Sequence, residues 1–508
     1  MTERRPGPRR RDQARARDLG THEPLAALRP PGPPLELLSG EQVERILRTA
    51  LRVLQDLGLE IRSAAARAIY AQAGALVDHE TGMVRLGADL VTAALARAPS
   101  SFTLHARNAA RDLIVGGNAV NFGPVHGAPN IRDERDGRRY GDLEAFRNVL
   151  KLTHALGVTQ WQGGMVVEPT DVPVATRHLE AYRAHIECSD LVWAARGMGG
   201  AQARDAIALS AIEHQCSVEA LATRPTLMTI TNVNSPRLVD EEILDNICVM
   251  AAHGQCVVIT PFTLMGAMAP VTLAGALAQQ TAEALAIVVL CQLVRPGAPC
   301  VLGGFTSNVD LKSGSPAFGT PEYVQGVIAS AQIGRRLGLP VRTSAVNASP
   351  CVDAQSTYET GFALQAAILS HSHLVSHATG WLEGGLAASY EKIIVDAELI
   401  RHWAGILRPV EFSDEDLGFE AIRAVPPGGH HFGTAHTLAR YQNAFYRPRL
   451  SDWSSYEAWT EAGSQNATTR ATGLWQRVLN EYVAPALDPG VRDAMDAYVT
   501  RRRAELAP

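Results

Sequence analysis

The residues of this chain that could do chemistry cluster just after a series of short apolar runs. Following those runs stand Phe122 and His126; Gln162; Ala195 and Arg196; Asn232 and Asn234; Phe262 and Met265; Phe305 and Thr306; Ser344, Ala345 and Asn347; and His377, Trp381 and Glu383. Trp161 and Arg342 lie within two of the runs. Aromatic and amide groups dominate the set, and carboxylates are few. It lacks the paired carboxylates of a glycoside hydrolase, and the chain has no G-x-S-x-G nucleophile elbow. His371, His373 and His377 are the histidines that invite a metal, but the first two fall where a helix ends and a strand begins, which does not gather them round one ion. They read as structural histidines, while His377, at a strand end, stands open between a structural and a functional role.

The elements that must position these groups repeat a single unit. Its clearest copy runs from Cys256 to Gly304: a β-branched strand, a Met- and Gly-rich turn after Pro261, a long helix nearly free of charge, a stop at Arg295-Pro296-Gly297 and a second strand from Cys300. Unbroken apolar strands of this kind belong to parallel sheets covered on both faces. Strands are predicted at VNFGP, TQWQGG, LVWAA, LMTIT, CVVIT, CVLGG, VRTSA and LVSHA. Helices are predicted near 142–156, 175–188, 201–218, 236–253, 272–295, 320–338, 354–370 and 389–404, with Asp142, Ser235 and Thr320 as N-caps. Eight such units predict closure into a (β/α)8 TIM barrel over residues 117–405. The alternative, a doubly wound open sheet, would want a glycine-rich phosphate loop of the G-x-G-x-x-G or P-loop type, which the chain does not contain. An N-terminal α+β cap is predicted for 35–116, and a helical C-terminal extension packing on the barrel for 406–508. The Arg- and Pro-rich tail 1–34 is expected to be disordered, since it has too few apolar residues to offset its ordering entropy.

Bulk properties exclude more than they assign. The 508 residues are 46% apolar and 19% charged, enough for a large core, and the net charge of -5 gives no electrostatic footprint for nucleic acid. Seven cysteines without C-x-x-C pairs read as reduced thiols of a cytoplasmic protein. The apolar helix after Thr272 carries Gln279, Gln280 and Glu283, so it reads as a core helix and no membrane association is expected.

Several long motifs now matter together. They are PFTLMGAMAPVTLAGALA (261–278), the following Glu283, PGAPCVLGG (296–304), DAQSTYE (353–359), GWLEGGLAASYEKIIVDAE (380–398), HHFGTAHTLAR (430–440) and PRLSD-x3-YEAW (448–459). With them the chain resembles the trimethylamine methyltransferase family over about residues 35–498. The resemblance implies a barrel enzyme that moves a methyl group from a methylated amine to the cobalt of a corrinoid carried on a separate small protein, with no permanently bound cofactor of its own. Founding members of the family activate trimethylamine through a pyrrolysine. This chain is written with standard residues only and resembles the branch lacking that residue, whose activity is glycine betaine demethylation. A trimethylamine or other methylated-amine methyltransferase and a non-catalytic betaine-binding barrel are the alternative readings. A quaternary ammonium leaves as a neutral tertiary amine, so attack by Co(I) needs no acid or covalent activation, and no acid/base catalytic residue is expected.

On this reading the substrate-binding residues are Phe122, His126, Trp161, Phe262, Phe305, Arg342, Asn347, His377, Trp381 and Glu383. Aromatic faces suit a methylated cation that cannot donate a hydrogen bond, at about 0.5–2 kcal/mol per contact, although some of these rings would serve only packing. A betaine carboxylate needs a cation or N–H donors, for which Arg342, Arg196, His126 and His377 are candidates. Arg342 lies within a strand and can point either way. Glu383 has two open roles, attracting the cation or capping the turn at Gly384-Gly385. The expected partners are a small quaternary amine and a corrinoid protein, with assembly as a homo-oligomer.

Overall fold

A computed structural model of the chain describes residues 24–506. Eight parallel strands form one sheet: β1 (Asn121–Pro124), β2 (Trp161–Gln162), β3 (Val192–Ala195), β4 (Leu227–Val233), β5 (Cys256–Pro261), β6 (Cys300–Gly303), β7 (Val341–Ser344) and β8 (Leu374–Thr379), in the spatial order β1-β8-β7-β6-β5-β4-β3-β2. The Gln160 backbone N–H donates to Phe122 O at 2.9 Å, and Phe122 N–H to the Gln160 side chain at 2.8 Å, which brings the two edges together and closes the ring. After each strand comes a helix: α1 (Leu143–Leu156), α2 (Arg177–Cys188), α3 (Gly200–Glu213), α4 (Glu241–Ala252), α5 (Leu273–Val294), α6 (Pro321–Leu337), α7 (Ala354–Leu369) and α8 (Tyr390–Ile406). The fold is the (β/α)8 barrel that the eight repeats predict.

The barrel is plugged from below. A hairpin of Phe102–Leu104 against Leu113–Val115 sends Leu104, Leu113 and Val115 into a core with Trp161, Met228, Val258, Val301 and Leu374. The interior left for a ligand is therefore at the end where the strands finish, as in barrel enzymes generally. The preceding segment holds helices Gly40–Arg52, Ala64–Gln72 and Ala88–Leu95 and a small sheet of Leu59–Ile61, Leu76–Val77 and Met83–Arg85. Its helices pack on the outer side of α5. This explains why α5 has no polar face: β-strands cover one side and the cap helices the other. By length and composition α5 could cross a membrane, but 78% of that apolar stretch is buried inside the protein.

Two expectations are corrected. The predicted helix 236–253 starts at Glu241, after N-cap Asp240, because Leu238–Val239 is drawn out as a strand paired with Glu60 and Ile61 of the cap sheet. Ser235 caps nothing; its hydroxyl donates to Glu283 at 2.5 Å. The predicted disorder of 1–34 also fails for residues 24–34. Leu25 N–H donates to Gly157 O, and Leu28 is buried and exchanges backbone hydrogen bonds with Val120, so two apolar side chains and the barrel's own backbone anchor the segment. Residues 1–23 of that tail lie outside the described residues.

At the C-terminus, helix Ala467–Glu481 lies along α8, where Trp475 and Thr472 both donate to Glu391. Helix Pro489–Leu506 lies along α3, with Tyr498 and Arg502 donating to the buried Asp205. All seven cysteines are free thiols.

The seam between cap and barrel offers a clean measurement. Tyr70 is fully buried, and its hydroxyl donates to Ala286 O of α5 at 2.8 Å. Tyr70→Phe is expected to lower unfolding free energy by about 1–3 kcal/mol, because the carbonyl loses a buried partner. Denaturant titration of both proteins would check this.

Candidate functional site

At the upper end of the barrel, two features meet at His126. One is a cavity of about 860 Å³ above β1 to β4, lined among others by His126, Met165, Arg196, Ile230, Asn232 and Asn234. The other is a wall of rings above β5 to β8. His126 and His377 lie with ring centroids 4.1 Å apart, His377 and Trp381 4.2 Å, Phe305 and His377 5.8 Å, and Phe262 and Phe305 5.1 Å. Phe318 and Tyr323 complete the wall from behind Phe305.

Local backbone devices put these rings where they are. Strict alternation along β8 would send Leu374 and Ser376 inward and His377 outward. The pairing of β8 with β1 instead shifts register between Val375 and Thr379, and His377 adopts φ 55°, an unusual value for a residue with a Cβ. That irregularity turns His377 into the mouth, where its Nδ1 meets the Ser344 hydroxyl at 3.1 Å. Trp161 lies flat over Gly123, where a Cβ would fall within 2.2 Å of the indole. Trp381 covers Gly385, whose φ of 103° and close approach exclude any side chain.

Trp381 is also pinned from behind. Its indole N–H donates to Asn347 O at 3.1 Å, and Asn347 Nδ2 donates to Trp381 O at 2.6 Å and to the Thr360 hydroxyl at 3.1 Å. Thr360 accepts in turn from Lys392 Nζ at 3.0 Å. Lys392 is buried against Asp396, whose other oxygen accepts from the Gly380 N–H at 2.8 Å. Asn347 is thus part of the frame for a ring, with its Oδ1 left without a partner.

Arg342 is the most unusual group present. Its side chain points inward from β7 and is 1% exposed, with Nε donating to the Ser376 hydroxyl at 2.8 Å and the guanidinium 5.1 Å from the Phe305 ring centre. Nη1 has no partner, and no carboxylate forms an ion pair with Arg342 among the described residues. Burial pushes its pKa down to about 10, so it stays charged at neutral pH. The same burial, with Arg342 close by, pushes His126 down to about 3 and His377 well below its ordinary value. Both imidazoles are neutral at pH 7. His126 Nε2 and Trp161 Nε1 are buried without hydrogen-bond partners, like Arg342 Nη1.

Of the ten predicted site residues, His126, Phe262, Phe305, Arg342, His377 and Trp381 come together in this wall, with Trp161 next to His126 at 6.3 Å between ring centroids. Phe122 does not join them. It sits between Asn121, which faces the plug, and Gly123, which faces Trp161, and so points outward into the layer containing Phe146 and Val149 of α1. Glu383 is paired with Arg138 at 3.1 Å, and its carbonyl accepts from Leu386 N–H across the glycine turn. Sequence reasoning missed Phe318, which reaches the wall from a loop, and Ser376, whose inward position on β8 the alternation would have given.

The sequence profile of the trimethylamine methyltransferase family matches residues 4–507. A glycine betaine methyltransferase of Desulfitobacterium hafniense (strain Y51) is 33% identical over 93% of this chain and 98% of its own. A trimethylamine methyltransferase of another D. hafniense strain is 27% identical over 88% of this chain and 90% of its own. A proline betaine:corrinoid methyltransferase of Eubacterium limosum is 27% identical over 81% of this chain and 86% of its own.

The two neutral histidines make stability depend on pH with a definite sign. Their folded-state pKa values lie below the unfolded value near 6.5, so the unfolded chain binds more protons and acid destabilises the fold. Unfolding free energy is expected to be unaffected by these groups above about pH 6.5 and to fall by up to ~1.4 kcal/mol per pH unit for each histidine below it. For His126 that loss continues to about pH 3. Denaturant titrations at pH 7 and pH 5, run on the parent and on His126→Gln, would check it: the variant should lose less stability on acidification.

Proposed function

Because the chain belongs to the trimethylamine methyltransferase family, it is a methyltransferase, and we propose that its substrate is a betaine, a quaternary ammonium that also carries a carboxylate. Its methyl group passes to Co(I) of a corrinoid on a separate protein. The observation that carries the substrate class is Arg342, a buried guanidinium with an unpartnered Nη1. An isolated buried charge is costly, and a ligand carboxylate would offset that cost with a charge-assisted hydrogen bond. Trimethylamine has no group to meet it.

The rest of the mouth fits the other end of such a zwitterion. A quaternary ammonium offers no N–H, so it binds by contact with ring faces, and Trp381, Phe305 and the two imidazoles supply them. Keeping His126 and His377 neutral matters here, since an imidazolium would repel the ammonium. Arg196 and Arg62, which line the cavity, lie against Glu168, Glu60 and Asp240, so Arg342 is the arginine of the site left without a carboxylate partner. The protein's part in the transfer is then orientation: the site holds the nitrogen so that one N–CH3 bond points out of the barrel, in line with the incoming cobalt. The nitrogen keeps the bonding electron pair and leaves as a neutral tertiary amine. No proton moves in this step. The free thiols suit a reducing compartment, and cytoplasmic location is part of this reading.

Arg342→Met tests the assignment in two ways. Affinity for glycine betaine should fall by about 30-fold or more, corresponding to the 2–5 kcal/mol cost of removing one partner of a buried charge pair. Stability without substrate should stay level or rise by about 1–4 kcal/mol, because the variant no longer buries a lone charge. Calorimetry and denaturant titration read the two effects separately. Methylation of a Co(I) corrinoid by trimethylamine, with glycine betaine and proline betaine inert, would overturn the reading.

A further inference from the structure

Four residues stand side by side on neighbouring strands of the barrel, just before the loops that carry the rings. Backbone pairing sets Asn232 of β4 against Thr260 of β5. One step beyond the pair Ile259 and Leu302, Thr260 comes level with Gly303 of β6, and Gly303 pairs in register with Arg342 of β7. Residues level with each other on adjacent strands share a face of the sheet. Here that face is the interior, because Val258 and Val301, two residues earlier on β5 and β6, pack on the hairpin that plugs the barrel. The row Asn232–Thr260–Gly303–Arg342 therefore crosses the inside of the barrel, from the cavity that Asn232 lines to the buried guanidinium.

Two polar groups in this row are unanswered. Thr260 is 1% exposed and its hydroxyl has no hydrogen-bond partner, just as Arg342 Nη1 has none. Other buried threonines of the upper barrel are paired: Thr229 donates to Asn246 Oδ1 at 2.9 Å, and the hydroxyls of Thr263 and Thr306 share a hydrogen bond of 2.5 Å. Thr343 and Thr379 also lack partners, but neither stands in the row. Between the two orphans lies Gly303. A Cβ there would come within 2.4 Å of the Thr260 hydroxyl and of Ile259 O, so the hydroxyl leans over the glycine toward the strand of Arg342. On the far side, the Arg342 Nε–H is turned to Ser376 of β8, and Nη1 occupies the opposite edge of the planar guanidinium. Neighbouring strands are about 4.8 Å apart, so β5 and β7 stand roughly 10 Å from each other, a width that a side chain from each can close on one small acceptor. Buried donors left unmatched are costly, and two of them flanking one glycine mark a place for that acceptor.

We propose that Thr260 is a second carboxylate-binding residue of the site: its hydroxyl donates to one oxygen of the substrate carboxylate while Arg342 Nη1 donates to the other, and Gly303 leaves the room between them. The proposal rests on the betaine reading above and adds to it a determinant of specificity. A guanidinium by itself attracts an anion without fixing its place. A hydroxyl held two strands away answers only a group that presents a second acceptor across the gap, as the two oxygens of a carboxylate do. Fixing both oxygens fixes the plane of the carboxylate, and through it the direction in which the nitrogen and its methyl groups leave the row toward the rings.

Calorimetric titration of the full chain with glycine betaine tests this on two variants. Thr260→Val keeps the shape of the side chain and removes the hydroxyl; Thr260→Ser keeps the hydroxyl. Thr260→Val should weaken betaine binding by about 10-fold or more, the effect of losing a hydrogen bond to a charged group, and Thr260→Ser should stay close to the parent. Tetramethylammonium, which has no carboxylate, should bind the parent and Thr260→Val alike. Without ligand, the Tm of Thr260→Val should equal or exceed the parent's, because an unmatched buried hydroxyl is gone. Equal betaine affinity in the parent and Thr260→Val overturns the proposal, as does a loss shared by tetramethylammonium. If Arg342→Met loses betaine while Thr260→Val binds like the parent, the betaine reading stands and the role of Thr260 fails. A parent that binds no betaine sinks the reading itself, and this proposal with it. Should Thr260→Val not fold, Thr260→Ala takes its place under the same expectations.

Discussion

The proposed site of this barrel is built round a single buried positive charge. Arg342 sits inside the upper end of the ring with one hydroxyl, one aromatic face and no carboxylate for company. Burial is the main reason that His126 and His377 are held below their ordinary range, and the nearby Arg342 charge pushes both further the same way. Carboxylates are present at the mouth, since Asp240, Glu241 and Glu242 line the cavity, but none of them is paired with Arg342 among the described residues. A protein carboxylate beside Arg342 would form a closed ion pair and leave nothing for a ligand, so on the proposed function the unpaired state is what suits the guanidinium to a carboxylate substrate. The cost falls on stability, as expected where a site is organised for binding instead of for its own folding.

Such a site works only if its rings cannot relax toward the empty space beside them, and much of the surrounding polar structure serves that end. Lys392, Asp396, Thr360 and Asn347 form a continuous buried chain that ends on both the carbonyl and the indole N–H of Trp381. The pair Lys392–Asp396 is itself a charge cluster that must be compensated inside the protein, and the Gly380 N–H and Thr360 hydroxyl do so. On the other flank, Glu283 of α5 accepts from Ser235 and from the Arg237 N–H, which fixes the turn that follows β4 and carries Asn234 at the cavity. The long apolar helix is therefore more than filler between barrel and cap. Its one carboxylate ties the cap-bound segment Leu238–Val239 to the cavity wall.

How much of this the sequence disclosed depends on the range over which each feature is determined. Eight strand–helix units were legible because parallel strands buried on both faces are apolar throughout, a signal carried within each run. The helix placed at 236–253 was misjudged because a strand from the cap, distant in sequence, pairs with Leu238 and Val239. Ordering of residues 24–34 depends likewise on Val120 and Gly157, which no local composition reveals. Within the site, alternation decides Phe122 and Ser376 correctly when applied, and fails at His377 because a register shift reverses its direction. Arg342 could be recognised as a candidate cation, but its lack of a partner is a property of the fold alone.

Protons are where the two substrate classes part. Displacing methyl from a tertiary amine requires something to activate nitrogen first, and barrels that do so by acid catalysis would need a donor whose pKa lies near neutrality. In the wall of this site burial holds His126 and His377 below their ordinary range, and Arg342 stays charged at neutral pH. A substrate whose nitrogen already bears four carbons needs neither. Such an ammonium carries its own activation, and on the proposed function the protein has only to recognise charge at one end, methyl groups at the other, and hold the line between them.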